Sequence, residues 1–463
     1  MTSTVQRPPA PAAPAPAPPE ERTGLAGLLG LPAAAVRAIV RSAATTPGRL
    51  SVIAVGLVLL SLLTGIVGAF AFQDRKDIIG GLTDHREPLA AAAQQVYRSL
   101  SDADATAASA FLSTGTEPPA LRERYEVDIA QAGAALAKAA ADSGGVAEAA
   151  AQVDMLNQQV PVYTGLVETA RANNRLGYPA GASYLREASE LMRAKILPAA
   201  HELYRIDTER LLAEQDEATD IPWLTGVLVL ALIAALVATQ LYLKRRTNRV
   251  LNIGLVVATA AVVLALLWGA VAVVVQSIGV SAGGDSGTRR VDLAVKARIA
   301  ALQARADETL TLVARGDGGK YEAEFKELAV QLSGQDGNGG YLGELRSVAA
   351  EYGATTEVDS AIANAKAWLA AHAKLRENDD NGAYDEAVTL AIDEKAEGSA
   401  AAAFFRLDND LVTAINGGRQ AFLDETSAAD GALTALAPGF AVLCVIAAAG
   451  ATMGIRERLM EYR

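Results

Sequence analysis

Four long runs without a charged side chain constrain this chain more than any other feature. Residues 50–73, 221–243, 250–278 and 431–455 contain no Asp, Glu, Lys or Arg. Each run is long enough for a helix to cross a hydrocarbon layer, which takes about 20 residues. The second and third runs are separated only by residues 244–249, which are too few to form a domain. We therefore predict four transmembrane helices, with the second antiparallel to the third.

The charges between these runs predict the orientation of the chain. The six-residue loop 244–249 carries four Lys or Arg, whereas residues 74–220 carry 14 Lys or Arg against 23 Asp or Glu. Residues 279–430 are acidic too, with 15 against 26. Because short basic loops stay in the cytoplasm, we expect a multi-pass plasma membrane protein with both termini inside. The acidic balance of the long segments argues against nucleic acid as a partner.

The two long segments, called segment 1 (residues 74–220) and segment 2 (residues 279–430), read as helical bundles. Both are rich in Ala, Leu, Glu and Arg, and each has three Gly-, Pro- or Asn-rich breaks that separate four helices. The predicted fold is an all-α integral membrane protein with two extracytoplasmic four-helix-bundle domains in tandem, a pseudo-duplication. A Pro/Ala-rich disordered tail with a basic juxtamembrane end (residues 1–49) and a tail at residues 456–463 complete the chain.

The sequence gives little sign of chemistry. His85, His201 and His372 have no second His or Cys at ligand spacing, which favours surface or capping roles over metal binding. The stretch Glu377–Gly382 resembles the start of a calcium loop, but Val388 stands where the bidentate carboxylate is needed, so an inter-helix turn is preferred. No nucleophile, nucleotide-binding or kinase motif is present. We expect no enzyme, no cofactor and no metal.

The spans themselves argue for signalling rather than transport. Pumps and channels place ionisable residues inside the membrane, where each is costly and marks a pathway. None of the four runs here contains one. In the last run, Gly450 and Gly454 form a small-xxx-small pattern that favours close packing against a neighbouring helix. Cys444, the only cysteine, lies in the same run, so the long segments fold without disulfides.

A span, an acidic helical segment and a second span together resemble the sensory half of a bacterial chemoreceptor, here twice in one chain. The layout also resembles the four-span membrane component (GlnX-type) of the actinobacterial glutamate/aspartate-sensing system. The residues that carry this resemblance are Leu100–Leu112, Arg124–Asp128, Ser183–Met192, Lys244–Arg249, Leu251–Gly254 and Gly454–Arg463. The resemblance implies two partners besides the lipid bilayer: an extracytoplasmic solute-binding lipoprotein (GlnH-type) and a soluble cytoplasmic Ser/Thr kinase (PknG-type).

On this view the protein is a non-enzymatic signal relay with contacts at both ends. The turns farthest from the membrane offer an aromatic residue or an Arg for docking, since these residues dominate binding hot spots. The candidates for external docking are Arg175, Tyr178, Arg315 and Tyr384. The candidates for contacts with the cytoplasmic partner are Arg245, Arg246, Arg249, Arg456 and Arg458. A simpler explanation of these last five is that they only fix the topology.

Two other functions fit the same sequence. A direct sensor would bind an amino acid between bundle helices, with an Arg for the carboxylate and an acid for the ammonium group. Arg122, Arg124 and Asp128, or Arg171 and Arg175, are the available groups, although ordinary helix-surface positions are the preferred interpretation of them. A membrane scaffold or assembly protein would carry no signal. A change in the cytoplasmic loop would uncouple a relay and leave the external binding of a scaffold intact.

Overall fold

A computed structural model of the chain describes residues 46–113, 117–142, 145–220, 222–247 and 252–460. No strand occurs within these ranges. The α-helices, in chain order, are α1 Thr46–Gly81, α2 Glu87–Leu112, α3 Pro119–Asp142, α4 Ala147–Arg175, α5 Ala180–Leu191, α6 Leu197–Thr219, α7 Trp223–Thr247, α8 Ile253–Ala282, α9 Arg289–Val313, α10 Gly319–Ser333, α11 Gly340–Glu351, α12 Thr356–Asp380, α13 Tyr384–Ile392, α14 Ala400–Leu433 and α15 Leu436–Met460. Most of the predicted tail, residues 1–45, lies outside the described residues.

Four helical stretches are long and apolar enough to cross a membrane. They are Gly48–Leu112, Ala180–Arg245, Ile253–Ala282 and Ala400–Glu457, and each contains all or most of one of the uncharged runs. The first is a helical stretch of 65 residues that includes both the predicted first span and the first helix of segment 1. The all-helical fold and the four long apolar helices are thereby confirmed. The orientation of the chain stays a prediction.

The described residues divide into two compact units. One comprises Ile66–Val227 and Leu264–Val442, and so contains both segments; the other comprises residues 46–65, Leu228–Val263 and 443–460. Within the first unit a single hydrophobic core includes buried residues of both segments, and α2 of segment 1 packs against α9 of segment 2. The segments therefore do not form two independently packed bundles, and a tandem duplication stays a prediction.

Segment 2 has more breaks than the sequence analysis predicted. Segment 1 follows the expected plan, with breaks after Leu112, Asp142 and Arg175. In segment 2 two further breaks separate α11 from α12 and α13 from α14. The first contains Gly353, whose φ of 68° is accessible to glycine at little cost. At the second, the Ser399 hydroxyl accepts a hydrogen bond from the amide of Ala402 at 3.0 Å and caps α14.

Close packing of α8 against α15 characterises the second unit. A Cβ atom added at Gly254 would lie 2.5 Å from backbone atoms of Gly450 and Gly454, so the helices approach at backbone distance. Beside this contact, the buried Asn252 side chain donates a hydrogen bond to the carbonyl of Gly454 at 2.7 Å. The prediction that Gly450 and Gly454 pack against a neighbouring helix is confirmed.

Three π-helical turns interrupt the long helices in the described part of the chain. They are Leu82–Arg86 between α1 and α2, Met192–Ile196 between α5 and α6, and Gly283–Thr288 between α8 and α9. The third lies against α14, where a Cβ atom on Gly287 would meet that of Phe422 at 2.5 Å. Single π turns inside α-helices are often found at functional sites, and the periodicity of the sequence did not predict them.

Candidate functional site

The most unusual feature of the first unit is a buried group of ion pairs that joins the two segments. Its members, called the central cluster, are Asp102 of α2, Arg124 of α3, Arg298 of α9 and Asp408 of α14. Arg298 donates two hydrogen bonds to Asp408, at 2.6 and 3.0 Å, and reaches across to Asp102 at 3.3 Å. Arg124 binds Asp102 at 2.8 Å and lies 3.7 Å from Asp408. Two cations thus neutralise two anions, and each segment supplies one cation and one anion.

Asp128 adds a further carboxylate at the edge of the central cluster. It is only 7% exposed, and its Oδ2 atom has no hydrogen-bond partner among the described residues. Burial, followed by the negative charge of Asp102, raises the pKa of Asp128 to about 7. The proton on this carboxyl therefore exchanges near neutral pH, at a point where the two segments meet.

A second ion-pair group, called the lateral cluster, also crosses between the segments. Arg193, in the π turn after α5, binds Asp307 of α9 and lies 2.6 Å from Glu324 of α10. Its guanidinium also lies 5.5 Å from the centre of the Tyr321 ring. Burial raises the pKa of Asp307 to about 7, although Arg193 acts in the opposite direction. Near Arg193, burial also raises the pKa of Asp104, which accepts a hydrogen bond from Ser189 at 2.9 Å.

A third buried group lies within segment 2 and is centred on His372. Its Nδ1 atom lies 2.9 Å from Glu308 and its Nε2 atom 3.2 Å from Glu322, while the ring stacks on Phe325 at 3.6 Å. Burial lowers the pKa of His372, but hydrogen bonds to the two carboxylates outweigh it, so the net shift is upward. Arg305 pairs with Glu308 from the other side. The predicted surface or capping role of His372 is therefore wrong, whereas His85 and His201 are exposed.

The predicted external docking residues fall into two places. The structure brings Arg315 and Tyr384 together, with the guanidinium 5.0 Å from the centre of the ring and the Tyr384 hydroxyl bonded to a backbone carbonyl at 3.2 Å. Arg315 adopts a φ of 45°, unusual for a residue with a side chain. Arg175 and Tyr178 lie exposed at the turn after α4, beside the equally exposed Leu176. No observation here tests their role.

The predicted cytoplasmic contacts are only partly described. Arg245 lies exposed near the end of α7, and Arg456 lies exposed near the end of α15. The side chains of Arg246 and Arg458, and the whole of Arg249, lie outside the described residues. Their function stays a prediction.

The residues considered for direct amino-acid binding are mostly engaged inside the protein. Arg124 and Asp128 belong to the central cluster or its edge, and Arg171 is buried, binds Glu168 at 2.6 Å and lies 4.2 Å from the centre of the Tyr125 ring. The prediction of ordinary surface positions is wrong for these three, while Arg175 is exposed and Arg122 is partly exposed. Within the described residues, no group of three His, Cys, Asp or Glu is arranged to hold a metal ion.

Comparison with known proteins agrees with a sensing role. Residues 79–216 match the family model described as the actinobacterial sensor domain. The match covers less than a third of the chain and corresponds closely to segment 1, from the end of α1 to near the end of α6. No curated protein and no solved structure matches the chain. The described part of the chain is thus all-helical, with four helices able to span a membrane, and its segment 1 is similar to a sensor domain.

Proposed function

We propose that this protein is a non-enzymatic transmembrane signal relay. It couples an extracytoplasmic amino-acid-binding protein, which docks on the segments, to a cytoplasmic partner, a Ser/Thr kinase, at the basic loop and tail. Membership in the four-span component of the glutamate/aspartate-sensing system, with its lipoprotein and kinase, is part of the same proposal. The sensor-domain match of segment 1 supports a signalling role at the external end.

One observation carries the proposal: the ion-pair clusters lie on the helical stretches that contain the apolar spans. Asp102 belongs to Gly48–Leu112, Arg193 to Ala180–Arg245 and Asp408 to Ala400–Glu457. Ion pairs between such helices hold one relative position of the segments, and breaking or shifting one pair favours another. Helix shifts of about 1–2 Å are typical of signalling transitions, and they carry coupling free energies of about 1–3 kcal/mol.

The external end offers a docking surface at the turn after α4. Leu176 and Tyr178 are 67% and 57% exposed, and Arg175 precedes them. An exposed aromatic ring with a neighbouring Arg is the composition expected of a protein-binding hot spot. The cytoplasmic end offers Arg245 and Arg456, which suit acidic groups on a kinase.

A direct sensor is the less supported alternative. The buried cations that would receive a ligand carboxylate, Arg124 and Arg171, are already bound to carboxylates of the protein itself. A ligand would have to displace these ion pairs, at the cost of leaving a buried charge without its partner.

The relay is tested by crosslinking and capture of the full-length protein from native membranes, with and without glutamate and aspartate. The wild type should recover both an extracytoplasmic binding protein and a cytoplasmic kinase. Tyr178→Ala should lose the first partner only, and Arg245→Glu with Arg456→Glu should lose the second only. Asp154→Asn, at an exposed position on α4, serves as the matched control and should recover both.

Two outcomes would contradict the relay. If neither partner is recovered while calorimetry shows that the purified protein itself binds an amino acid, the direct sensor is correct. If the external partner is recovered but Arg245→Glu with Arg456→Glu does not change the recovery of a cytoplasmic partner, the protein is a scaffold.

A further inference from the structure

An open groove of about 620 Å³ lies between α6 of segment 1 and the helix pair α8–α9 of segment 2. One wall includes Tyr204, Leu212 and Asp216, and the other includes Val280 and Arg289. Among the described residues, three hydrogen bonds join the walls. The Tyr204 hydroxyl donates to Asp292 at 3.0 Å, and the Gln215 amide donates to the Thr288 hydroxyl at 3.4 Å. The Gln276 amide of α8 donates to the Ala218 carbonyl of α6 at 2.8 Å. A volume of this size is typical of sites for small molecules.

On the other side of α6 and α9, towards α2 and α14, lies a much smaller pocket of about 50 Å³. There α2 and α14 are joined by an ion pair in which Arg419 Nε lies 2.6 Å from the buried Glu87 carboxylate. No such pair joins α6 to α9 among the described residues. The groove therefore has more room for a ligand than the pocket beside α2 and α14.

Two charges in the groove are left without an ion-pair partner among the described residues. Arg205 is neutralised by Glu202 and Glu209, at 2.6 and 2.5 Å. Lys296 and Asp292 neutralise each other at 2.7 Å. Arg289 on one wall and Asp216 on the other remain, one positive and one negative. A ligand that satisfies both must carry an anion and a cation a short distance apart.

The two unpaired charges lie at a similar distance beyond the ends of the apolar spans. Asp216 lies four residues before Asp220, at the end of α6, and Arg289 lies ten residues after Gly279. Helical side chains lean toward the N-terminus, so Asp216 leans away from the span while the long Arg289 side chain leans toward it. With about 1.5 Å per residue, both charges come to lie about 8 Å beyond the span ends. The headgroup layer of a bilayer occupies this depth, since each leaflet adds about 6 Å to the hydrocarbon core.

We propose that the groove binds the headgroup of phosphatidylethanolamine, with the phosphate on Arg289 and the primary ammonium on Asp216. The inference rests on the proposed placement of the apolar helices in a membrane. A guanidinium is a strong partner for phosphate, and a carboxylate can accept hydrogen bonds from a primary ammonium but not from a quaternary one. The apolar Val280, next to the end of the span, also lines the groove, where it suits the glycerol and upper acyl chain. A bound lipid would keep α6 apart from α9, and both helices adjoin spans.

The test is native mass spectrometry of the full-length protein, purified in detergent with phosphatidylethanolamine, phosphatidylcholine and phosphatidylglycerol in equal amounts. The wild type should retain one phosphatidylethanolamine in preference to the other two. Arg289→Gln and Asp216→Asn should each lower its retention about tenfold, because each removes one charge-assisted contact. Lys138→Gln and Asp154→Asn remove exposed charges of the same kinds outside the groove and should retain the lipid as the wild type does.

The proposal is overturned if Arg289→Gln and Asp216→Asn retain as much phosphatidylethanolamine as the control variants, or if phosphatidylcholine is retained equally well. It is also overturned if water-soluble glycerophosphoethanolamine binds the lipid-free protein as tightly as the lipid, because the ligand is then a soluble zwitterion. Thermal unfolding of each variant separates loss of the fold from loss of binding. Failure of the relay, seen as missing protein partners, would leave these lipid counts unchanged.

Discussion

Replacement of Arg298 by Met removes the cation that joins the two segments. Asp408 then loses two hydrogen bonds, of 2.6 and 3.0 Å, and keeps only Arg124 at 3.7 Å. Asp102 loses its 3.3 Å contact to segment 2. Removing one partner of a buried ion pair typically costs about 3–5 kcal/mol, since the remaining charge stays out of water. At about 2–4 °C per kcal/mol, the Tm of this unit should fall by about 10 °C.

The assay is thermal and denaturant unfolding of the full-length protein in detergent, followed by tryptophan fluorescence. Trp368 is fully buried in the core of the first unit and reports on its unfolding. A double variant, Arg298→Met with Asp408→Leu, replaces the pair by apolar side chains and should recover at least about half of the lost stability. Arg346→Met breaks an exposed ion pair with Asp359 and should leave the Tm unchanged.

Two results would refute this reasoning. A loss of less than about 1 kcal/mol for Arg298→Met would mean that the central cluster is solvated like a surface pair. A double variant that is less stable than the single one would mean that Asp408 contributes through contacts other than Arg298.

Three further predictions follow from particular contacts. Because burial raises the pKa of Asp128 to about 7, the native state binds a proton that the unfolded chain releases above about pH 4, so stability should fall as the pH rises from about 4 through 7. Asp128→Asn should flatten this dependence of the Tm on pH. An unchanged slope in the variant would contradict the prediction. Gly254→Ala places a Cβ atom 2.5 Å from backbone atoms of α15 and should lower the free energy of unfolding by about 1–3 kcal/mol. A Cβ atom at Gly56 would meet nothing within 4 Å, so Gly56→Ala should not destabilise the protein. Equal Tm values for the two variants would be inconsistent with the close packing at Gly254. Trp368→Ala should lower the free energy of unfolding by about 3–5 kcal/mol, because it leaves a cavity in the core. Denaturant unfolding followed by circular dichroism measures this loss. A loss below about 1 kcal/mol would mean that the core closes around the cavity.

The helices could be predicted because their signals are local. Uncharged runs of more than 20 residues reveal spans, and apolar residues at helical spacing reveal a buried face. Leu185, Met192, Ile196 and Leu203, for example, recur at spacings of seven, four and seven and are almost fully buried. The sequence analysis missed the two extra breaks in segment 2 because each contains only a single glycine, Gly353 or Gly398, without the Gly or Pro clusters that marked the other turns.

The ion-pair clusters could not be predicted, because their partners are far apart in sequence. Arg298 and Asp408 are 110 positions apart, and Arg298 and Asp102 are 196 apart. A charged residue on an Ala-rich helix looks the same whether it faces water or another helix. The one available signal was that Asp102 and Asp104 stand among small residues, where a solvated face normally carries longer polar side chains. His372 was predicted to lie at the surface for the same reason: the two carboxylates that enclose it come from other helices.

The central claim of this account is that a change in the ion-pair clusters is transmitted along the helices to the cytoplasmic ends. It is tested most directly by electron paramagnetic resonance distance measurements between spin labels at positions 245 and 456, in full-length protein in lipid nanodiscs, with Cys444→Ser to remove the native thiol. We predict that Arg298→Met shifts the distance distribution by about 1–2 Å or adds a second population, while Arg346→Met does not. An unchanged distribution in a variant whose Tm has fallen as predicted would contradict the claim, because the clusters would then stabilise the segments without signalling to the cytoplasm.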